Sequence, residues 1–304
     1  MSRSYDEMQP TNAPVETLIF GELLYDCFSD SDRVLGGAPF NVAWSLQGLG
    51  QNATLISAVG DDALGEEAIE KMKAWRLATD GVTRCDEYST GRVRVEVRDG
   101  EPEYTIDRDV AWDYIPDDGF SASSLLYHGS LALRRKSNET TLQKIVDRSR
   151  DALRFFDVNL RAPHDDRAVI DRWLENADWV KLNLSELRTI CDVGDASLQE
   201  SEAAVTSLRN RYAAKNFIVT AGEDGARIYT ENTMYEAAPA ATATPFVDSV
   251  GAGDAFTAYI IHAIQSEWSL ATAIQQASRF AAKVCGIQGA TSGDHRFYDL
   301  SYDQ

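Results

Sequence analysis

Short apolar runs recur along the chain, each too brief for a helix and each set off from the next by a stretch of different rhythm. ETLIFG (16–21), ATLISAVG (53–60), SLLYHG (124–129), LRFFDVN (153–159), ADWVKLN (177–183) and NFIVTAG (216–222) read as buried strands. Between them, patterns such as FNVAWSLQGLG (40–50) and GEEAIEKMKAW (65–75) place apolar residues at helical spacing. Strands alternating with helices specify an α/β fold with a mostly parallel central sheet flanked by helices. DAFTAYIIHAIQ (254–265) and LATAIQQASRFAAKVCGI (270–287) read as two closing helices joined by a short turn. A length of 304 residues allows one large domain with a small attachment.

One segment breaks the rhythm. In RVRVEVRDGEPEYTI (92–106), Val93, Val95 and Val97 alternate with Arg92, Arg94, Glu96 and Arg98, and DGEP is a turn signal. This predicts a hairpin with one wet face. Together with a strand near 23–35, the region 90–112 is expected to form a small β lid on the α/β body. An exposed lid edge is able to pair with a second copy, so a homodimer through the lid is the expected assembly.

Composition narrows the partners. A formal charge of −19 opposes a nucleic-acid backbone, so no nucleic acid is expected. The same charge opposes an anionic nucleotide unless the site supplies local positive potential. No run of about 18 apolar residues is present, so no membrane span is expected. The polar start MSRSYDEMQPTNAPVE lacks the apolar stretch of a secretory signal. Residues 1–14 are expected to be a disordered tail, residues 15–304 the folded domain, and the location cytoplasmic. Cys27, Cys85, Cys191 and Cys285 form no CxxC pair, and His128, His164, His262 and His295 are dispersed, so neither disulfides nor zinc is expected.

The strongest local signal is VDSVGAGDAF (247–256). A β-prone run around Pro245–Val250 meets Gly-Ala-Gly, and a helix begins near Asp254. The small residues permit a tight bend, and the amides of Ala252, Gly253 and Asp254 would face outward at a helix N-terminus. Such a terminus binds phosphate through its N–H groups and dipole. A carboxylate at an anion site needs a reason. Helix capping is one, and proton removal from an attacking hydroxyl is the other. Spacing alone does not choose between them.

Further polar and small residues gather near the start. GGAPFNVAWSLQGLG (36–50) puts Gly36 and Gly37 before a helix with Asn41 in its first turn, and GDDALG (60–65) follows. GELLYD (21–26) places Glu22 and Asp26 at a strand end, where isolated acids are usually solvated. Carboxylates and amides grouped at one site match the hydroxyl edge of a sugar. No GxxxxGK[ST] loop is present, which excludes a P-loop kinase.

On these residues the chain resembles the PfkB, or ribokinase-like, family of carbohydrate kinases. Gly36, Gly37, Asn41, Ala43, Gly50 and Gly60 match its first signature. Asp248, Gly251, Ala252, Gly253, Asp254 and Ala258 match its second, while Tyr259 stands where Gly or Ala is usual. DVNLR (157–161), KLNLSEL (181–187) and IVTAGEDGARI (218–228) resemble its D-x-N-x-R, N-x-x-E and T-x-G-x-x-G segments, in family order. The resemblance covers about residues 16–293 and implies a three-layer ribokinase-like fold with a β lid.

It also implies roles. Asp254 would be the catalytic base, with Gly251, Ala252 and Gly253 forming the amide cradle. Asp26, Gly36, Gly37, Asn41 and Arg161 would bind the sugar, with Arg161 also a candidate phosphate clamp or a surface ion pair. Thr220, Gly222 and Gly225 would line the ATP side. Asn183 and Glu186 would hold Mg²⁺ through water. Asp248, Val250, Val284 and Gly289 occupy the positions of a possible K⁺ site. GE at 21–22 with GGAPFNVA resembles the fructokinase branch, although DRDVAWDYIPDD (107–118) keeps only Arg108 and flanking acids of the stretch that branch carries there. Trp112 is either a sugar platform or a core aromatic. Phe40, Trp44 and Trp112 leave a nucleoside kinase open, and a catalytically silent sugar-binding regulator is the reading from another class.

Overall fold

The computed structural model describes residues 15–27, 32–98, 101–241 and 245–299. The tail expected over 1–14 lies outside them. The chain opens with β1 (Val15–Phe20), β2 (Leu24–Cys27), β3 (Arg33–Gly36), α1 (Ala38–Gly48), β4 (Ala53–Gly60), α2 (Ala63–Ala74) and β5 (Val82–Cys85). It continues through β6 (Gly91–Arg98), β7 (Glu101–Ile106), β8 (Ala122–His128), α3 (Lys136–Arg148), β9 (Leu153–Asp157), α4 (Arg167–Glu175) and β10 (Trp179–Asn183). The last third holds α5 (Leu184–Cys191), α6 (Ser201–Arg211), β11 (Asn216–Thr220), β12 (Ala226–Tyr229), β13 (Met234–Ala237), α7 (Ala252–Gln265) and α8 (Leu270–Val284).

Nine strands form one sheet in the order β13-β12-β11-β10-β9-β8-β1-β4-β5. All pairs from β11 to β5 are parallel, and β12 and β13 add an antiparallel edge. Because the strands are apolar on both faces, successive residues feed two cores. Ile19, Leu55, Phe155 and Ile218 join α1, α2, α7 and α8 on one side, while Leu18, Ile56, Phe156 and Phe217 join α3, α4, α5 and α6 on the other. The result is the three-layer architecture expected from the alternation. From β1 the chain builds outward to β4 and β5, then returns to β8 on the other flank. The switch point therefore lies at β1/β8, and ligands of open α/β sheets bind beyond the carboxyl ends of strands at such a point.

The lid is a second sheet, ordered β3-β2-β6-β7. The strand expected near 23–35 is two strands, β2 and β3, paired antiparallel, with β2 parallel to β6. The alternation in β6 holds where side chains are described: Val93 is buried, and Arg92 and Arg94 reach Asp107 on the wet face. Asp62 fastens lid to body. It caps α2 through the Gly65 amide and accepts from both the amide and hydroxyl of Thr90, one residue before β6. The span 107–112 lies beyond the lid sheet, whose last strand ends at Ile106, and Val110 and Trp112 pack in the second core.

The run Pro245–Val250 is not a strand. It is irregular, and Phe246, Val247 and Val250 are exposed. An apolar sequence there reflects a surface beside the α7 N-terminus rather than a buried element.

Candidate active site

The carboxyl ends of β1, β9 and β10 and the head of α7 converge. At that head Gly251 is the N-cap in a left-handed conformation, φ 75°, and a Cβ there would lie 2.1 Å from the Ala290 Cβ. Only glycine fits both demands. The turn leaves the amides of Gly251, Gly253 and Asp254 without a hydrogen bond to any described residue. Ala252 differs from expectation: its amide donates to Ser249 O at 3.3 Å, because the tight turn into the helix folds it back. The open donors are thus those of Gly251, Gly253 and Asp254, at the positive end of a 14-residue helix.

Asp254 lies beside these donors, in its helix's first turn. It does not cap the helix. Its Oδ2 accepts from Asn41 Nδ2 at 2.7 Å. Burial pushes its pKa up to about 6, opposed by the Asn41 hydrogen bond and the positive charges of Lys181 and Arg161, while Asp157 adds to the rise. A carboxylate poised near neutrality, able to ionise and to take a proton, suits general-base chemistry better than capping.

A second cluster of polar side chains is built from the β1–β2 and β3–α1 junctions. Gly37, at φ 107°, passes so close to the chain that a Cβ would meet Glu22 O at 2.6 Å. A Cβ at Gly36 would lie 3.2 Å from Asp26 Oδ2 and 3.8 Å from Asn41 Oδ1, so Asp26, Gly36 and Asn41 share one wall. Asn41 is buried, and its Oδ1 lacks a hydrogen-bond partner among the described residues, as does Oε2 of Glu22. Glu22 is not the solvated acid its position suggested. It is 2 % exposed, and burial raises its pKa to about 7 against the fields of Arg161 and Arg134. Burial likewise lifts Asp26 to about 6, with Arg161 opposing. The exposed Arg161 donates to Leu160 O and forms no carboxylate ion pair at contact distance among the described residues, yet its charge acts on Glu22, Asp26 and Asp254. The field of Arg161 thus acts on all three acids.

On the opposite flank, Asn183 and Glu186 form a reciprocal capping box at the start of α5. Glu186 Oε2 accepts from the Asn183 amide at 2.7 Å and Oε1 from the Leu160 amide at 2.8 Å. With both oxygens engaged, a direct metal bond is disfavoured and an outer-sphere contact is what its remaining lone pairs fit. Thr220 ends β11, and Gly222 and Gly225 bound the turn that follows. Asp248 draws three of the four cation-site positions together: Oδ1 accepts from the Val250 amide at 2.8 Å and Oδ2 from the Gly289 amide at 3.5 Å. The Val284 carbonyl accepts from the Ile287 amide.

Several aromatic expectations resolve toward the core. Trp112 is fully buried beneath Arg134, whose guanidinium lies 4.1 Å from the ring, so it is no sugar platform. Phe40 and Trp44 are both buried in the first core, and Trp44 stacks on Trp75 at 5.0 Å. Tyr259 packs among His262, Trp268 and Phe280.

One residue escaped the sequence reading. Lys181, on β10, is buried and paired with Asp157 at 3.0 Å. A charged residue at the centre of an otherwise apolar strand was the available signal.

A doubly wound sheet with a β lid, a carboxylate at a helix N-terminus and open amides beside it define a phosphotransferase of ribokinase-like fold. The comparisons agree. The model of the pfkB family carbohydrate kinases matches residues 6–296. An uncharacterized sugar kinase of Pyrococcus horikoshii is 30 % identical over 79 % of this chain and 80 % of its own length. The fructokinase of Salmonella typhimurium is 30 % identical over 80 % and 82 %. Among solved structures, the Pyrococcus kinase in complex with ATP superposes with a TM-score of 0.76 at 26 % identity, covering 90 % of this chain and 93 % of that one. The fructokinase of Vibrio cholerae has the same fold, with a TM-score of 0.76 at 20 % identity over 91 % and 94 %. The chain belongs to the pfkB family of carbohydrate kinases and is an enzyme of that class, with fructokinases among its relatives.

Proposed function

We propose that the chain transfers the γ-phosphate of ATP to a primary hydroxyl of a monosaccharide, a hexose of the fructose type, with Asp254 as base. The observation that carries this is Asp254 itself, held by Asn41 and set beside the open amides of Gly253 and its own backbone. Asp254 takes the proton from the acceptor hydroxyl as that oxygen attacks phosphorus. The amides of Gly251, Gly253 and Asp254 are placed to hydrogen-bond the transferred group as its charge spreads. Glu22, Asp26 and Asn41 offer the sugar hydroxyls acceptors, and Glu22 in its protonated form a donor.

Magnesium bound to the nucleotide supplies neutralisation of phosphate charge. With one carboxylate oxygen accepting from the Asn183 amide and the other from the Leu160 amide, Glu186 would fit a contact to that ion through water. Asp248, Val250, Val284 and Gly289 are the residues that would hold a K⁺ ion. Fructokinases at about 30 % identity support the hexose; the buried acids of the acceptor wall support a polyhydroxyl ligand. The lid, with β3 and β7 as its edge strands, would close over the sugar and exclude water. Those same edges would pair two copies, which light scattering tests.

The decisive experiment is ADP release measured against a panel of hexoses, pentoses and nucleosides. Hexose-dependent release is expected. Nucleoside dependence, or binding of sugar without turnover, would overturn the reading.

A further inference from the structure

Beneath the candidate cradle lies a charged network that the transfer chemistry above does not use. Lys181 rises from β10, and its Nζ donates to both oxygens of Asp157, at 3.2 and 3.0 Å. Asp157, at the end of β9, is fully buried and also accepts from the Thr257 hydroxyl of α7 at 3.0 Å. Gly253 O, also 3.0 Å from the Thr257 hydroxyl, is the alternative acceptor for its single proton. A Cβ placed on Gly253 would lie 3.3 Å from Lys181 Nζ, so the ammonium abuts the cradle from inside. The third N–H of Lys181 has no acceptor among the described residues.

A buried ion pair is a poor way to gain stability, because desolvating two charges offsets much of their attraction. Its placement is therefore the informative feature. We propose that Lys181 is a positioning residue for phosphoryl transfer: its ammonium, wedged between Asp157 and the backbone of Gly253, fixes the first turn of α7 and holds a positive charge behind the amide cradle. In a chain of net charge −19, this places a cation where an anionic nucleotide must be received. The inference rests on the proposed kinase activity.

Both members of the pair also act on the base, in opposite senses. Asp254 is faced by Asn41 from α1, Lys181 from β10, Asp157 from β9, Arg161 from the loop after β9, Glu22 from the loop after β1 and Tyr127 from β8. Of the pair, Lys181 favours its ionised form and Asp157 disfavours it.

The test is the pH profile of kcat/KM in Lys181→Met and Asp157→Asn, with folding checked by thermal melts. The acid limb is expected to move to higher pH in Lys181→Met and to lower pH in Asp157→Asn, with kcat of the lysine variant lower by on the order of tenfold. Limbs that stay fixed, or that move together in step with lost stability, overturn the proposal. The double variant removes both charges of this pair, leaving neither member unpaired, and guards against misfolding of the singles. Its kcat is expected to stay low with KM for ATP and sugar near wild type, whereas recovery of kcat would reduce the pair to a structural role. A wild-type enzyme inactive on every sugar would defeat the kinase reading itself, an outcome distinct from either.

Discussion

Asn41 Nδ2 donates to Asp254 Oδ2 at 2.7 Å, across 213 positions of sequence. One hydrogen bond thus ties the glycine-led helix α1 to the head of α7, and joins the two signature regions in space. It orients the carboxylate and favours its ionised form. Asp254→Asn should leave ATP and sugar binding within a few-fold while kcat falls about 10²- to 10⁴-fold, the loss expected of a general base. Near-normal turnover would remove Asp254 from that role. Asn41→Ala should move the acid limb of the rate profile to higher pH, because the base loses a donor to its ionised form.

The rate profile of the wild-type enzyme should bend on the acid side. Asp254 must be ionised to accept a proton, and burial places its pKa at about 6. kcat/KM, which reports the free enzyme, should therefore fall as the pH drops through that value. A flat profile from pH 5 to 8 contradicts the assignment.

Glu22 links the site to stability. Burial raises its pKa from 4.5 to about 7, so the folded protein favours the protonated form. The stability this contributes is complete below the unfolded value and is lost as the pH rises through about 7. At pH 8 the buried carboxylate is ionised at a cost of up to about 3 kcal/mol. Glu22→Gln should accordingly raise Tm relative to wild type more at pH 8 than at pH 5. The reverse order in paired melts would show that Glu22 is held ionised. Sugar affinity should fall in the same variant, since Gln offers a weaker acceptor.

Gly251→Ala tests the cradle's backbone. The left-handed φ of 75° and the contact with Ala290 both oppose a side chain. A loss of about 1–3 kcal/mol is expected from strain of this kind. kcat should fall more than the melt predicts, because the displaced amides are those aimed at the transferred group. Unaltered kinetics would mean the loop does not touch phosphate.

Much of this was legible in the chain. The strand runs were legible because their apolar residues feed cores on both faces, as Leu18 and Ile19 do from adjacent positions. The hairpin was legible because Val93 and Arg94 alternate. Asp254 and the glycines announced themselves through backbone demands that few residues meet. What escaped was environment rather than identity. Pro245–Val250 has the composition of a strand yet lies in no strand pair among the described residues, its Val247 amide donating instead to Cys285 O after α8. Trp112 and Phe40 carry no mark that separates a core ring from a pocket ring. The burial of Glu22 goes with the close pass of Gly37, and its ionisation feels the charge of Arg161, neither of them a neighbour in sequence. The Lys181–Asp157 contact requires two strands to lie side by side, a fact of topology that spacing does not record.

Arg161 offers the last test, of which side of the site its field serves. Its guanidinium is exposed and donates a hydrogen bond to Leu160 O, at 2.9 Å, rather than to a carboxylate of the described residues. Its charge nonetheless lowers the pKa of Glu22, Asp26 and Asp254 together. An arginine that acts on three acids without pairing tightly to any remains available to a ligand, and planar bidentate contacts distinguish it from lysine. Arg161→Ala should raise KM for the sugar about tenfold or more, the size of one charge-assisted hydrogen bond, with KM for ATP changed less. Arg161→Lys should recover the pH dependence, which needs only the charge, but not the sugar affinity, which needs the fork. A rise confined to KM for ATP would instead assign Arg161 to the phosphates.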